Sequence, residues 1–234
     1  MSNLESIQAR WIELFDRLRC DPRTKDQIAP PFFSVPAVQA RSILYVGKAT
    51  AKDGCWDEAP SGSTQTQIKQ GIKYTNKFLI EVAPEINSGF WHFARELNTE
   101  VAKKWKQQVT SPFQHIAWTN VCKIGELGER PPREAGIVFR AQQELAVETL
   151  RLEIELYKPG LICFVTWDYA WELVKEVIGD PSDASWDQAE NEQWLWCHRP
   201  THGLPAILLT GHPGRKSRAL RETWLTKASD LLPD

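Results

Sequence analysis

No apolar run in this 234-residue chain approaches the roughly 20 residues that a membrane-spanning helix needs. The opening MSNLESIQARW lacks the pattern of a signal peptide, so a cytoplasmic location is expected. Cysteine is sparse. The five residues Cys20, Cys55, Cys122, Cys163 and Cys197 are scattered and form no C-x-x-C pair. That spacing argues against a disulfide framework and against a closed zinc or iron–sulfur site; no metal and no cofactor are expected, and the thiols read as small buried hydrophobes. Charge of one sign is also lacking. A net charge of −2 argues against indiscriminate nucleic-acid binding, while leaving room for a local basic patch. Neither G-x-G-x-x-G nor G-x-x-x-x-G-K-[ST] occurs, which removes the dinucleotide fingerprint and the P-loop.

What remains is an ordinary soluble composition with one excess, eleven tryptophans. Most should serve the core, and a few could be stacking platforms for a ring. The length suits a single domain over residues 1–234 with a full core. Ser2 and Glu5 make a capping box, and Leu4, Ile7, Trp11, Leu14, Phe15 and Leu18 repeat at helical spacing. An N-terminal helix over 2–20 is therefore expected to pack on the domain. Continuous apolar runs at 43–46, 115–118, 161–165 and 206–210 read as strands buried on both faces. Helical segments separate most of them: one from Gly89, one opened by Pro131-Pro132 and stopped by Pro159, one closed by Gly179, and one after Gly214. QWLWC reads as a short extra strand, and Ala51 to Gly71 as a long loop, either functional or a surface excursion. Strand and helix in alternation give an α/β protein with a mostly parallel sheet of four main strands.

In such sheets a ligand sits outside the carboxyl ends of the strands. The residues to weigh are therefore Gly47 to Asp53, Thr119 to Lys123, Thr166 to Asp168 and Gly211 to Arg215. Gly47 would let a ligand approach the backbone. Asp53 is either a water-orienting base or a loop residue bonded to its own backbone. Asn120 offers one acceptor and two donors side by side, a match for a nucleobase edge, or else it caps a turn. His212 suits donation to an oxygen gaining negative charge. Arg215, Lys216 and Arg218 crowd a helix start, where cations are locally unfavourable. They point either to an outside anion such as phosphate or to a solvated face, and Arg130 and Arg133 could join them.

The segments ILYVGKAT, GFWHFARELN, IAWTNVCKIGELGERPP, YKPGLICFVT and LLTGHPGRKS, in this order over residues 43–222, resemble the motifs of the uracil-DNA glycosylase superfamily. The resemblance implies a three-layer α/β/α domain with a central four-stranded sheet. It also implies hydrolysis of the bond between a base and deoxyribose, on a nucleotide flipped out of DNA. Carried over, Asn120 reads the base edge, His212 stabilises charge on the leaving base, and the segment from Gly214 to Arg218 presses on DNA. Gly47 and Lys48 border the base, and the stacking ring comes from Trp56, Tyr74 or Phe90. The chain departs from the family pattern in four ways. Lys48 takes the polar position after Gly47, and Thr50 stands where proline is usual. Gly214 replaces serine after His-Pro, and the iron–sulfur cysteines are missing. Asp53 is then the nearby carboxylate left to activate water. Two other readings stay open. One is a non-catalytic relative binding single-stranded or damaged DNA or a modified base. The other is an α/β protein for a phosphorylated small molecule.

Overall fold

The computed structural model describes residues 3–25, 27–34, 43–49, 62–126, 131–180, 186–188, 195–199, 205–214 and 216–233. The chain runs α1 (Asn3–Cys20), β1 (Ile43–Ala49), α2 (Thr64–Lys77), α3 (Gly89–Lys104), β2 (Ile116–Cys122), α4 (Ile137–Tyr157), β3 (Leu161–Phe164), α5 (Trp171–Ile178), β4 (Trp186–Gln188), β5 (Leu195–His198), β6 (Ala206–Thr210) and α6 (Arg218–Leu231). A π-helical turn, Phe78–Val82, and a 3-10 turn, Ala83–Glu85, link α2 to α3.

The strands form one sheet in the order β2-β1-β3-β6-β5-β4. β2, β1, β3 and β6 pair in parallel, with Ile43 opposite Ile116 and Leu161, and Leu161 opposite Ala206. The expected four-stranded sheet is thus six-stranded. β5 pairs antiparallel with β6 and β4 antiparallel with β5, so a short hairpin covers what would be an open edge at β6.

Period-two alternation of apolar side chains explains why both faces are covered. Leu44 and Val46, with Ile162 and Phe164, pack against Trp11 and Phe15 of α1, Leu150 of α4 and Val174 of α5. Ile43 and Tyr45, with Leu161 and Cys163, face Phe93, Leu97 and Val101 of α3 and Trp224 of α6. Helices therefore lie on both sides of a mostly parallel sheet. α1 is fixed to α4 by Trp11 Nε1 donating to Thr149 Oγ1 at 2.8 Å.

Three expected boundaries shift. Residues 64–71 are helical rather than loop: Ser63 caps α2 by accepting from Thr66 N, and Ile68 is buried. α4 starts at Ile137 rather than at the prolines, because Gly136 N donates to Arg133 O at 2.7 Å and closes a turn first. β2 runs on to Cys122, so Asn120 lies inside the strand and not after it. Asp53, Trp56, Arg130 and Arg215 lie outside the described residues. No described helix is long and apolar enough to cross a membrane.

Candidate functional site

Parallel pairing brings the carboxyl ends of β2, β1, β3 and β6 to one edge. Gly47 is the register partner of Asn120. A β-carbon at Gly47 would stand 2.5 Å from Asn120 Oδ1 and 3.2 Å from the Phe90 ring, so only glycine fits beneath these two groups. Asn120 is buried, whereas Phe90 is partly exposed at the first turn of α3.

Several contacts hold Phe90 there. Ser88 caps α3 by accepting from Trp91 N, and Tyr45 Oη donates to Phe90 O at 3.0 Å. Arg95 Nη1 donates to the carbonyls of Ala83 and Pro84, both at 3.2 Å, tying down the turn that leads into the helix. Behind Phe90 stands an aromatic wall. Trp91 meets Phe90 edge-on at 4.8 Å between ring centroids and Trp118 at 4.7 Å, and Phe78 lies 5.5 Å from Trp118. Two of the eleven tryptophans, Trp91 and Trp118, thus back the candidate site rather than face it. Tyr74, a candidate stacking ring, lies behind this wall, 6.3 Å from Phe78.

His212 follows β6 on the exposed rim, its ring 5.8 Å from Phe90 and tilted by 25°. Gly214 N donates to His212 Nδ1 at 3.1 Å. That bond assigns Nδ1 as acceptor, so in the neutral ring Nε2 carries the hydrogen and points a donor outward. Desolvation by the protein beneath it, with the positive charges of Lys48 and Lys216, lowers the His212 imidazole to about 4. Solvent on the open side screens part of this effect, but the direction leaves the ring neutral at pH 7. Two glycines make the arrangement possible. A β-carbon at Gly214 would meet His212 Nδ1 at 3.0 Å, and one at Gly89 would meet Gly214 Cα at 2.8 Å. The 213–214 turn therefore rests directly on the start of α3.

Lys48 points to the opposite sheet face from Gly47. Its ammonium lies 5.5 Å from the centre of the Tyr169 ring. Partial burial lowers its pKa, against the opposing pull of Asp168 and Glu134. The β3–α5 connection that seats Tyr169 carries two non-glycine residues in left-handed backbone, Trp167 (φ 48°) and Ala170 (φ 56°). Trp167 N donates to Thr210 O at 3.0 Å and Ala170 N to Glu134 Oε1 at 3.1 Å, which hold this strained turn. Strain of this kind gathers at functional sites. Tyr169 Oη donates to Pro132 O at 3.0 Å and lies 3.2 Å from Cys122 Sγ. Burial pushes the Cys122 thiol up to about 12, so it is no nucleophile.

The cations at the opening of α6 divide. Arg218 is spent within its own helix, its Nε 2.7 Å from Glu222 Oε1. Ser217 caps α6 by accepting from Leu220 N. Lys216 is partly exposed beside His212. An outside anion at this helix start would therefore compete with protein partners.

The sequence reading missed three features of this region. Tyr169 and the strained turn gave no pattern signal. The closeness of Gly89 to Gly214 needs the tertiary structure. Lys123 and Glu153, 2.8 Å apart and both nearly inaccessible, lie under the Asn120 strand; the apolar residues around each were the available hint. Among the described residues no three histidine, cysteine or acidic side chains gather as a metal site. A scan against protein-family models finds no match, and a search of curated proteins finds no significant one.

Proposed function

We propose that this chain is a DNA glycosylase of the uracil-DNA glycosylase type, a three-layer α/β/α protein that hydrolyses the N-glycosidic bond of a flipped, damaged or deaminated base. The observation that carries the reading is the meeting of Asn120, Phe90 and His212 around Gly47 at the carboxyl edge of the sheet. Each supplies what base removal needs. Asn120 offers an amide to the base edge. Phe90 offers an aromatic face. The neutral His212 offers an Nε2 donor to the oxygen on which charge collects as the base leaves.

A base on the His212 side of Phe90 has to part the rings. They are 5.8 Å apart, while a base inserted between two rings needs twice the stacking distance of about 3.4 Å. An opening of about 1 Å at the exposed His212 ring admits it. Lys216, with Arg215 and Arg130 from outside the described residues, would serve phosphates, and Asp53 would activate water. The test is a glycosylase assay over single-stranded and duplex oligonucleotides bearing deaminated and oxidised bases, read by cleavage at the resulting abasic sites. Release of at least one base by wild type, with discrimination lost in Asn120→Ala, is expected. DNA binding without release of any base would favour the non-catalytic reading.

A further inference from the structure

The proposed chemistry depends on the spacing of two rings carried by different elements. Phe90 rides on the first turn of α3, and His212 sits on the turn that leads into α6. Where these elements touch, at Gly89 and Gly214, backbone meets backbone, and neither residue has a side chain to fix the spacing. Deeper, Phe93 of α3 meets Trp224 of α6 edge-on, 5.7 Å between ring centroids. That contact packs the helices, but it lies about 10 Å along α6 from Ser217.

Arg221 spans the remaining distance. Its Nη1 donates to Lys216 O at 3.0 Å, and its Nε lies 3.5 Å from Glu96 Oε2 of α3. Among the described residues this is the one ion pair that joins α3 to α6. Lys216 N in turn donates to Pro213 O at 3.3 Å, and Gly214 N donates to His212 Nδ1 at 3.1 Å. Glu96 is itself held, its other oxygen 3.1 Å from His92 Nε2, one turn back on α3. A continuous set of polar contacts thus runs from the helix of Phe90 to the ring of His212. The pair at its centre is poorly made for stability. Arg221 Nε and Glu96 Oε2 are both buried, and at 3.5 Å neither completes a hydrogen bond. Buried polar atoms left unbonded cost stability. Nor is Arg221 laid out for phosphate: its side chain is 18% exposed, against 86% for Arg218.

Resting on the base-removal reading, we propose that Arg221 is a positioning residue, which ties the turn between Pro213 and Lys216 to Glu96 and so sets where His212 Nε2 stands over a base held against Phe90. It touches neither base nor phosphate. Without it His212 is present but displaced, and a misplacement of about 1 Å can cost up to about 10²-fold in rate. The loss cannot exceed that of removing the His212 donor itself, which is on the order of 10²-fold. Both residues act through one route, so their losses should not add.

The experiment uses the full chain and single-turnover base release at saturating DNA, at a temperature well below the melting point of every variant. Arg221→Met is expected to slow release about 10-fold, within the ceiling set by misplacement of the donor. In a His212→Ala background the same change is expected to leave the rate within about 2-fold. Glu96→Gln keeps the shape and removes the charge; it should slow release in the same direction, and only where His212 is present. A readout independent of activity is nitrogen NMR of the His212 ring at pH 7. Wild type should show the Nε2–H tautomer, and Arg221→Met a mixture of both. A wild-type rate in Arg221→Met, or an equal slowing without His212, overturns the inference. So does weaker DNA binding with an unchanged rate at saturation, which marks a phosphate contact. If wild type releases no base, the glycosylase reading falls, and the ring spectrum alone decides: a mixed tautomer in Arg221→Met supports the positioning role, and an unchanged one overturns it.

Discussion

Lys123 and Glu153 offer the sharpest test of how the site is supported. Their side chains are 1% and 2% exposed. Lys123 Nζ donates to Glu153 Oε1 and Oε2 at 2.8 and 2.9 Å, and Thr119 Oγ1 donates to the same carboxylate at 2.9 Å. At 2.8 Å and an effective dielectric of about 20, the attraction is about 6 kcal/mol. Desolvating the two ions costs several kcal/mol each, so the intact pair is close to neutral for stability. Breaking it is not. Lys123→Met leaves a buried carboxylate with one hydroxyl donor and should cost about 3–5 kcal/mol. Lys123→Met with Glu153→Leu removes both charges and should return most of that loss. Urea denaturation reads both. With a slope of about 2 kcal/mol per molar, the single variant moves the midpoint down by about 2 M, and the double variant by much less. A single variant within 1 kcal/mol of wild type, or a double variant as unstable as the single, would refute the reasoning.

Three further outcomes follow from the geometry. Gly47→Ala forces Asn120 aside and should abolish base discrimination, with a stability loss of about 1–3 kcal/mol by thermal melt; unchanged discrimination would mean Asn120 does not read the base. His212, His115 and His198 all have lowered pKa values, chiefly through desolvation, so the unfolded chain binds more protons as pH falls below about 6.5. Stability should be fully present above that value and decline as pH drops toward 4. His115→Phe, which removes a buried ring whose nitrogens have no partner among the described residues, should flatten the decline. Lys216→Glu with Arg218→Glu should weaken DNA binding and reduce the salt slope by roughly 0.7–0.9 per lost phosphate contact, while the melting temperature hardly moves. A change confined to Lys216 would fit the pairing of Arg218 with Glu222.

The fold was legible where hydrophobic periodicity was strong. The four parallel strands are buried on both faces over most of their length, so each opens as an apolar run. β4 is three residues long and carries no such signal. α2 was hidden because its buried residues are few and two of them are polar, Gln67 and Thr75; the spacing of Ile68 and Ile72 after Ser63 was the available clue. Of the site, strand-end logic located Gly47, Asn120 and His212 within one edge, since parallel pairing follows from the crossovers. It could not show that Arg218 is paired along its own helix, nor that Tyr169 lies under Lys48. Such contacts depend on side-chain direction at a turn, where no periodicity operates.

The central claim is that Asn120, Phe90 and His212 act together on a flipped base. The most direct measurement is the single-turnover rate of base release from the preferred damaged oligonucleotide, for wild type and His212→Ala, with DNA affinity followed in parallel. Loss of one donor to the leaving base should slow release by on the order of 10²-fold while affinity is held. Equal rates for the two proteins, or no release by wild type from any base while DNA is bound, would contradict the account.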